Sequence, residues 1–239
     1  MQLAPSLHRI GSDMVNVYLI EDEQGVTLID AGIPGLWKEL VTELDAMGRS
    51  LDDIRGVVLT HADDDHLGFA ERLRTDHGVT IYVHDADASQ ARGDVKKKNP
   101  PWGKMKAGPT LSFLWYAGRR GGLSVKSVAE VTTVRDGEVL DLPGDPRIIH
   151  TPGHSSGSVA IHCPAVDALF VGDAMTTRHV LTGVEGPQLA PFTLDPESAL
   201  QSLEKWSEIN TRWVLPGHGY PWEGGVREAV AGVHAAAGR

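Results

Sequence analysis

The sequence predicts an α/β fold with a core of two sheet layers and helices outside. Three observations carry that expectation. Short β-type runs and helical patterns alternate along all 239 residues. Each half of the chain runs strands first and then a helix. An apolar fraction of 41% and a charged fraction of 23% are ordinary for a globular chain, and this length can bury a large core without cross-links.

Taken in order, residues 15–21 (VNVYLIE) and 26–30 (VTLID) flank a turn at Glu23-Gln24-Gly25 and read as a hairpin. Leu36, Leu40, Leu44 and Met47 recur at helical spacing, and Gly48 is a natural stop. Residues 54–60 (IRGVVLT) form an apolar run that reads as a buried strand ending at His61. A helix is expected over 67–75 and a strand over 79–83. Further strands are expected over 130–134, 147–150, 158–163 and 168–171. Asp195-Pro196-Glu197 supplies a cap, a first-turn proline and an acid, so a helix starts there, with Leu200, Leu203 and Trp206 on its apolar face. Residues 212–215 read as the last strand and 221–237 as the last helix. Residues 92–126 hold nine of the 22 lysines and arginines and one acid, Asp94, along with Trp102, Phe113, Trp115 and Tyr116. That stretch is too long for a connection and too aromatic for a disordered linker, and reads as an insertion within one domain spanning 1–239. Its lysines, Lys96-Lys97-Lys98 among them, are either substrate-selecting or simply solvated.

Composition narrows the function classes. The net charge of -10 argues against general nucleic-acid binding. No segment reaches the roughly 20 apolar residues of a membrane span, so no membrane partner is expected. The opening MQLAPSLHRIG lacks the basic start and apolar run of a secretion signal, which makes the cytoplasm the expected location. Cys163 is the only cysteine, so neither an intrachain disulfide nor a cysteine metal cluster can form, and its strand context reads as core.

The chemistry concentrates in LTHADDDHLGF, residues 59–69. His61, Asp63 and Asp65 alternate after a strand, and a helix beginning near Asp65 would turn His66 back toward the same point. Imidazole and carboxylate are the usual ligands of zinc, iron or manganese. The plain alternative is a solvated acidic turn. Three further residues occupy similar places. His154 lies in the turn TPGHSSGS, Asp173 ends FVGDA, and His218 lies in LPGHGY. Each sits beside glycine at or near a strand's exit, where open sheets carry their sites. His84, at the end of IYVH, reads as structural or as a support for the site, and His179, close enough after Asp173 to reach the site, reads first as a surface residue.

From LIDAG at 28–32 through HADDDH, TPGH and GDA to PGHG at 216–219, the sequence resembles the metallo-β-lactamase superfamily. The resemblance implies a four-layer αβ/βα sandwich and a metal-dependent hydrolase with two divalent ions. Zinc comes first, with iron or manganese as alternatives. It implies that His61 and His154 serve one metal, that Asp65, His66 and His218 serve the other, and that Asp173 bridges. Asp65 would also take up a proton, and Asp30 would orient ligand groups from behind. The family's usual motif is His-x-His-x-Asp-His, whereas here Asp63 stands in the second His position. A carboxylate there makes the first site harder and richer in oxygen, which favours iron or manganese more than an all-His site would. The substrate class implied is a small thioester, lactone or related acyl compound. A phosphodiesterase and a non-catalytic binding module with a degraded site are the alternatives, and the Trp-rich insertion could mediate a homodimer.

Overall fold

The structure is a computed structural model that describes residues 1–95 and 102–238. The first sheet contains β1 (Gln2–Ala4), β2 (Leu7–Gly11), β3 (Asn16–Asp22), β4 (Gly25–Ile29), β5 (Ile54–Val58), β6 (Thr80–His84) and β7 (Thr132–Val134), paired in chain order. β1 to β4 form an antiparallel meander, and β4 to β7 run parallel through crossovers. The second sheet contains β8 (Arg147–His150), β9 (Val159–Cys163) and β10 (Ala168–Gly172). After a separate ribbon of β11 (Thr176–Arg178) and β12 (Glu185–Gln188), β13 (Trp213–Pro216) returns to pair parallel with β10.

Strand alternation decides the layering, because successive side chains leave opposite faces. In β3, Tyr18 and Ile20 point one way and Leu19 the other. Tyr18, Ile20, Ile29 and Val58 meet Ile148, Ile161, Phe170 and Leu215 of the second sheet in a buried cluster. On the outer face of the first sheet, Leu19, Leu28 and Val57 pack under α1 (Trp37–Ala46) and α3 (Ala70–His77), through Leu40, Leu44 and Leu73. On the outer face of the second, Leu169, Val171 and Val214 pack under α7 (Gly225–Ala237) and the turn holding Leu203 and Trp206. The result is helix, sheet, sheet, helix: the four-layer αβ/βα sandwich.

Several elements differ from expectation. The helix expected over 67–75 is broken. A single turn, α2 (Asp64–Leu67), stops at Gly68, and α3 starts at Ala70. A Cβ on Gly68 would lie 2.1 Å from the Gly32 carbonyl oxygen, so the chain can pass only as glycine. The helix expected from residue 221 begins at Gly225, because Trp222 first exchanges backbone hydrogen bonds of 2.9 Å with Val214. β1 and β2 lie in the opening segment, which carried no strand expectation, and the β11–β12 ribbon was likewise not foreseen. Cys163 is buried in β9, and burial pushes its thiol pKa up. Lys96-Lys97-Lys98 lies outside the described residues. Among those described, no helix is long and apolar enough to cross a membrane.

Candidate metal centre

The chemistry-bearing side chains leave from one edge shared by both sheets. His61, Asp63, Asp65 and His66 follow β5, His154 lies between β8 and β9, Asp173 follows β10, and His218 follows β13. β5 and β9 meet here directly, since Val159 N donates to the Thr60 carbonyl at 2.8 Å. The structure brings all seven side chains together in three overlapping clusters: His61 with Asp63 and His154, Asp65 with His66 and His218, and His61 with His66 and Asp173. In each, the ligand-type atoms lie within 4.8 Å of one another. In the first, Asp63 Oδ2 lies 3.2 Å from His154 Nε2 and 3.5 Å from His61 Nε2. The short aspartate therefore reaches its neighbours. In the second, His218 Nε2 lies 3.3 Å from Asp65 Oδ2. Asp173 stands between the two. Its Oδ2 is 3.7 Å from His154 Nε2 and 3.2 Å from His218 Nε2, and its Oδ1 is 3.6 Å from His66 Nε2.

Local backbone explains the convergence. Asp63 is extended and α2 begins at Asp64, so Asp65 and His66 turn back over the end of β5. His66 is held there by Ala31 N, which donates to its carbonyl oxygen at 2.8 Å. Asn16 ties down the His218 loop by donating 2.9 Å bonds to the carbonyls of Pro216 and Gly219. Gly217 leaves room for the centre, since a Cβ there would lie 2.6 Å from Asp173 Oδ1 and 2.5 Å from His66 Cε1.

Each imidazole is anchored through Nδ1 and presents Nε2 inward. The Thr60 hydroxyl donates to Asp30 Oδ2 at 2.9 Å and so accepts from His61 Nδ1 at 3.0 Å. His66 Nδ1 donates to Asp30 Oδ2 at 2.8 Å, His154 Nδ1 faces the Thr193 hydroxyl at 3.4 Å, and His218 Nδ1 donates to the Met14 carbonyl. Asp30 also accepts from Thr60 N at 2.7 Å. It holds a left-handed φ of 64°, a strained conformation for a residue with a Cβ, which these bonds over-determine.

The charges are strongly coupled. Burial alone would raise the carboxylates, but histidines outweigh it. His61 and His154 hold Asp63 well below the usual range, His218 and His66 do the same for Asp173, and Asp65 is lowered to about 2 chiefly by its bond from His218 and the charges of His66 and His218. Burial opposes protonation of His66, yet Asp30 and Asp173 raise it to about 9. His218 is likewise raised well above its ordinary value, against burial, by Asp173 and Asp65. His61 is lowered by burial and by His66.

The donor set fits two divalent ions. His61 Nε2, His66 Nε2 and Asp173 Oδ1 are buried without a hydrogen-bond partner, a costly arrangement that cations facing these atoms would relieve. Inward Nε2 atoms with Nδ1 bonded to protein oxygens are the arrangement metal-ligating histidines adopt.

His84 keeps a structural place, stacked on His150 with ring centroids 4.0 Å apart. His179 is half-buried rather than a free surface residue, with Nδ1 enclosed and unpartnered. The described part of the insertion meets the site through Phe113. Its helix α5 (Ala107–Arg119) is fastened by Thr110 Oγ1, which donates to the Leu181 carbonyl at 3.0 Å. Phe113 turns edge-on to His218, centroids 6.1 Å apart, while Leu111, Leu114 and Trp115 face outward and exposed. Sequence reasoning missed Thr60, Thr193, Asp87 and Gln90. The only available signal was the acid-rich HDAD at the exit of β6, a position like those of the other site residues.

Comparison with known proteins agrees with this picture. A family model described as the metallo-beta-lactamase superfamily matches residues 10–218. A Bacillus subtilis protein named probable metallo-hydrolase YflN is 27% identical over 93% of this chain and 87% of its own length. The human acyl-coenzyme A thioesterase MBLAC2 is 25% identical over 85% of this chain and 72% of its own. Among solved structures, the metallo-beta-lactamase family protein TTHA1429 from Thermus thermophilus superposes with a TM-score of 0.71 at 22% identity, covering 99% of this chain and 81% of that one.

Proposed function

The chain belongs to the metallo-beta-lactamase superfamily and is a metal-dependent hydrolase, and from that premise we propose that it cleaves acyl substrates, thioesters first and lactones second. One observation carries the acyl reading: a buried polar centre with the Phe113 ring against His218, an apolar surface along which an acyl chain would lie. The human thioesterase relative supports the same choice.

In this reading His61, Asp63 and His154 would hold one ion and Asp65, His66 and His218 the other, with Asp173 placed toward both groups. When bound, two divalent ions supply Lewis acidity and a water acidic enough to attack at neutral pH. Zinc is the first choice, with iron and manganese as the alternatives admitted by the oxygen-rich first half. Elemental analysis of protein purified without added metal decides among them.

The chain's own residues manage position and protons. Among the seven side chains Asp65 is the accessible one, 26% exposed, whereas Asp63 is 9% exposed and His66 wholly buried. Its carboxylate is therefore the one placed to accept the proton of the attacking water and to return it to the leaving thiolate. The carbon–sulfur bond breaks as the carbon–oxygen bond forms, giving an acid and a thiol. Phe113 shields the reacting carbonyl on the His218 side.

The test is thiol release from short- and long-chain acyl-coenzyme A, run beside a lactone and bis(p-nitrophenyl) phosphate. Thiol or lactone turnover that chelation abolishes and metal restores is expected. Turnover of the phosphodiester alone would replace the acyl reading with a phosphodiesterase.

A further inference from the structure

A carboxylate has two oxygens and can turn about its own axis, so a ligand as short as Asp63 needs something to aim it. Residues 84–91, at the exit of β6, lie beside it. Within α4 (Ala88–Ala91), Gln90 Nε2 donates to Asp63 Oδ1 at 3.2 Å and to the Ala62 carbonyl at 2.7 Å. That leaves Oδ2 as the oxygen facing His61 and His154. One turn earlier, Asp87 is 3% exposed and accepts from Ala62 N at 3.2 Å, the Ser155 hydroxyl at 2.6 Å and Gly157 N at 2.7 Å. It therefore bonds both the loop that carries Asp63 and the loop that carries His154. No cation among these contacts neutralises it. Three converging donors, two of them backbone, satisfy the carboxylate instead.

We propose that Gln90 and Asp87 form a positioning clamp, in which Gln90 aims Asp63 Oδ2 into the first half of the centre and Asp87 locks the Asp63 and His154 loops in register. The inference rests on the metal-centre reading above. Neither residue belongs to the ligand-type clusters, so both act through Asp63 and His154. Groups that orient metal ligands from behind are worth about 10- to 100-fold in metal affinity. That loss should fall on one ion only, because the other half is anchored through Asp30 and Met14.

The experiment is cobalt titration of the metal-free protein, read by absorption spectrum and bound-metal stoichiometry, with circular dichroism as the folding control. Wild type should take up two ions. Gln90→Ala should bind one ion as wild type does and the other about 10- to 100-fold more weakly, with a changed ligand-field band. An imidazole offers no Oδ1 to Gln90, so Asp63→His combined with Gln90→Ala should match Asp63→His alone within a factor of about two, a non-additivity that a purely structural role would not produce. Asp87→Asn should weaken the same ion. Ser155→Ala removes one arm of the Asp87 contacts, and should do so to a smaller degree even if Asp87→Asn fails to fold. Wild-type affinity and spectrum in Gln90→Ala, or an equal loss in the Asp63→His background, would overturn the clamp while leaving the metal centre standing. A wild-type protein that binds no ion would overturn both.

Discussion

The two halves of the centre contain the same kinds of side chain and differ in what stands behind them. In the second half His66 is backed by a buried carboxylate, Asp30, 2.8 Å from its Nδ1. In the first half His61 is backed by a neutral hydroxyl, Thr60, and His154 by Thr193. Asp30 and Asp173 raise the proton affinity of His66 to about pH 9, while His61 is lowered by burial and by its neighbour. A carboxylate behind an imidazole makes it a stronger donor to a metal as well as to a proton. The second half is therefore expected to fill first when metal is limiting. Identical ligand types become unequal through their neighbours, and the motif alone carries no sign of that inequality.

The strongest way to break the comparison is to remove the group common to both halves. Asp173→Ala should cost several kcal/mol of transition-state stabilisation, about 10³-fold in kcat/KM, and lower metal content at both positions. Steady-state kinetics with elemental analysis reads it, and loss of one ion only would show that Asp173 belongs to a single half. Next comes the backing carboxylate. Asp30→Ala strands His66 Nδ1 and Thr60 N inside the protein and should destabilise the metal-free fold by about 3–5 kcal/mol in urea unfolding. Thr193→Ala, in the neutral-backed half, should cost about 1 kcal/mol. Equal losses would erase the distinction.

Acidity supplies a subtler test. Because His66 titrates near 9 when folded and near 6.5 when unfolded, its contribution is fully present below pH 6.5 and is lost as pH rises through 9. Metal-free protein should lose on the order of 3 kcal/mol across that window, whereas metal-loaded protein, whose imidazoles are already deprotonated, should not. Thermal unfolding at several pH values measures both. The last effects belong to α5. Phe113→Ala should raise KM for a long-chain thioester about tenfold, equivalent to roughly 1.4 kcal/mol. The exposed Trp115→Ser should leave stability within about 0.5 kcal/mol and kcat/KM unchanged.

Much of the centre was legible residue by residue. His61, Asp173 and His218 each follow an apolar run, and His154 sits in a Pro/Gly/Ser turn, so all four announce themselves as strand exits. Gln90 announces nothing, being one polar residue on a short helix. Its importance arises because β6 pairs parallel beside β5, which brings residue 90 against residue 63. The break at Gly68 was equally hidden. The apolar spacing of Leu67 and Leu73 suits an unbroken helix, and the obstacle is the Gly32 carbonyl, more than thirty residues earlier in the chain. β1 and β2 are short and mixed in polarity, and they become strands by pairing along the edge of the meander.

By itself the amino-acid order determined where strands end and which side chains stand there, because alternation of apolar residues is a local property that needs no partner to be read. Only the tertiary structure decided that Asp63 meets His154, that Asp30 bonds His66 directly and reaches His61 only through Thr60, and that Phe113 of α5 meets His218. Those distances depend on how two sheets pack face to face, and no stretch of chain short enough to show a period contains both sides of that contact.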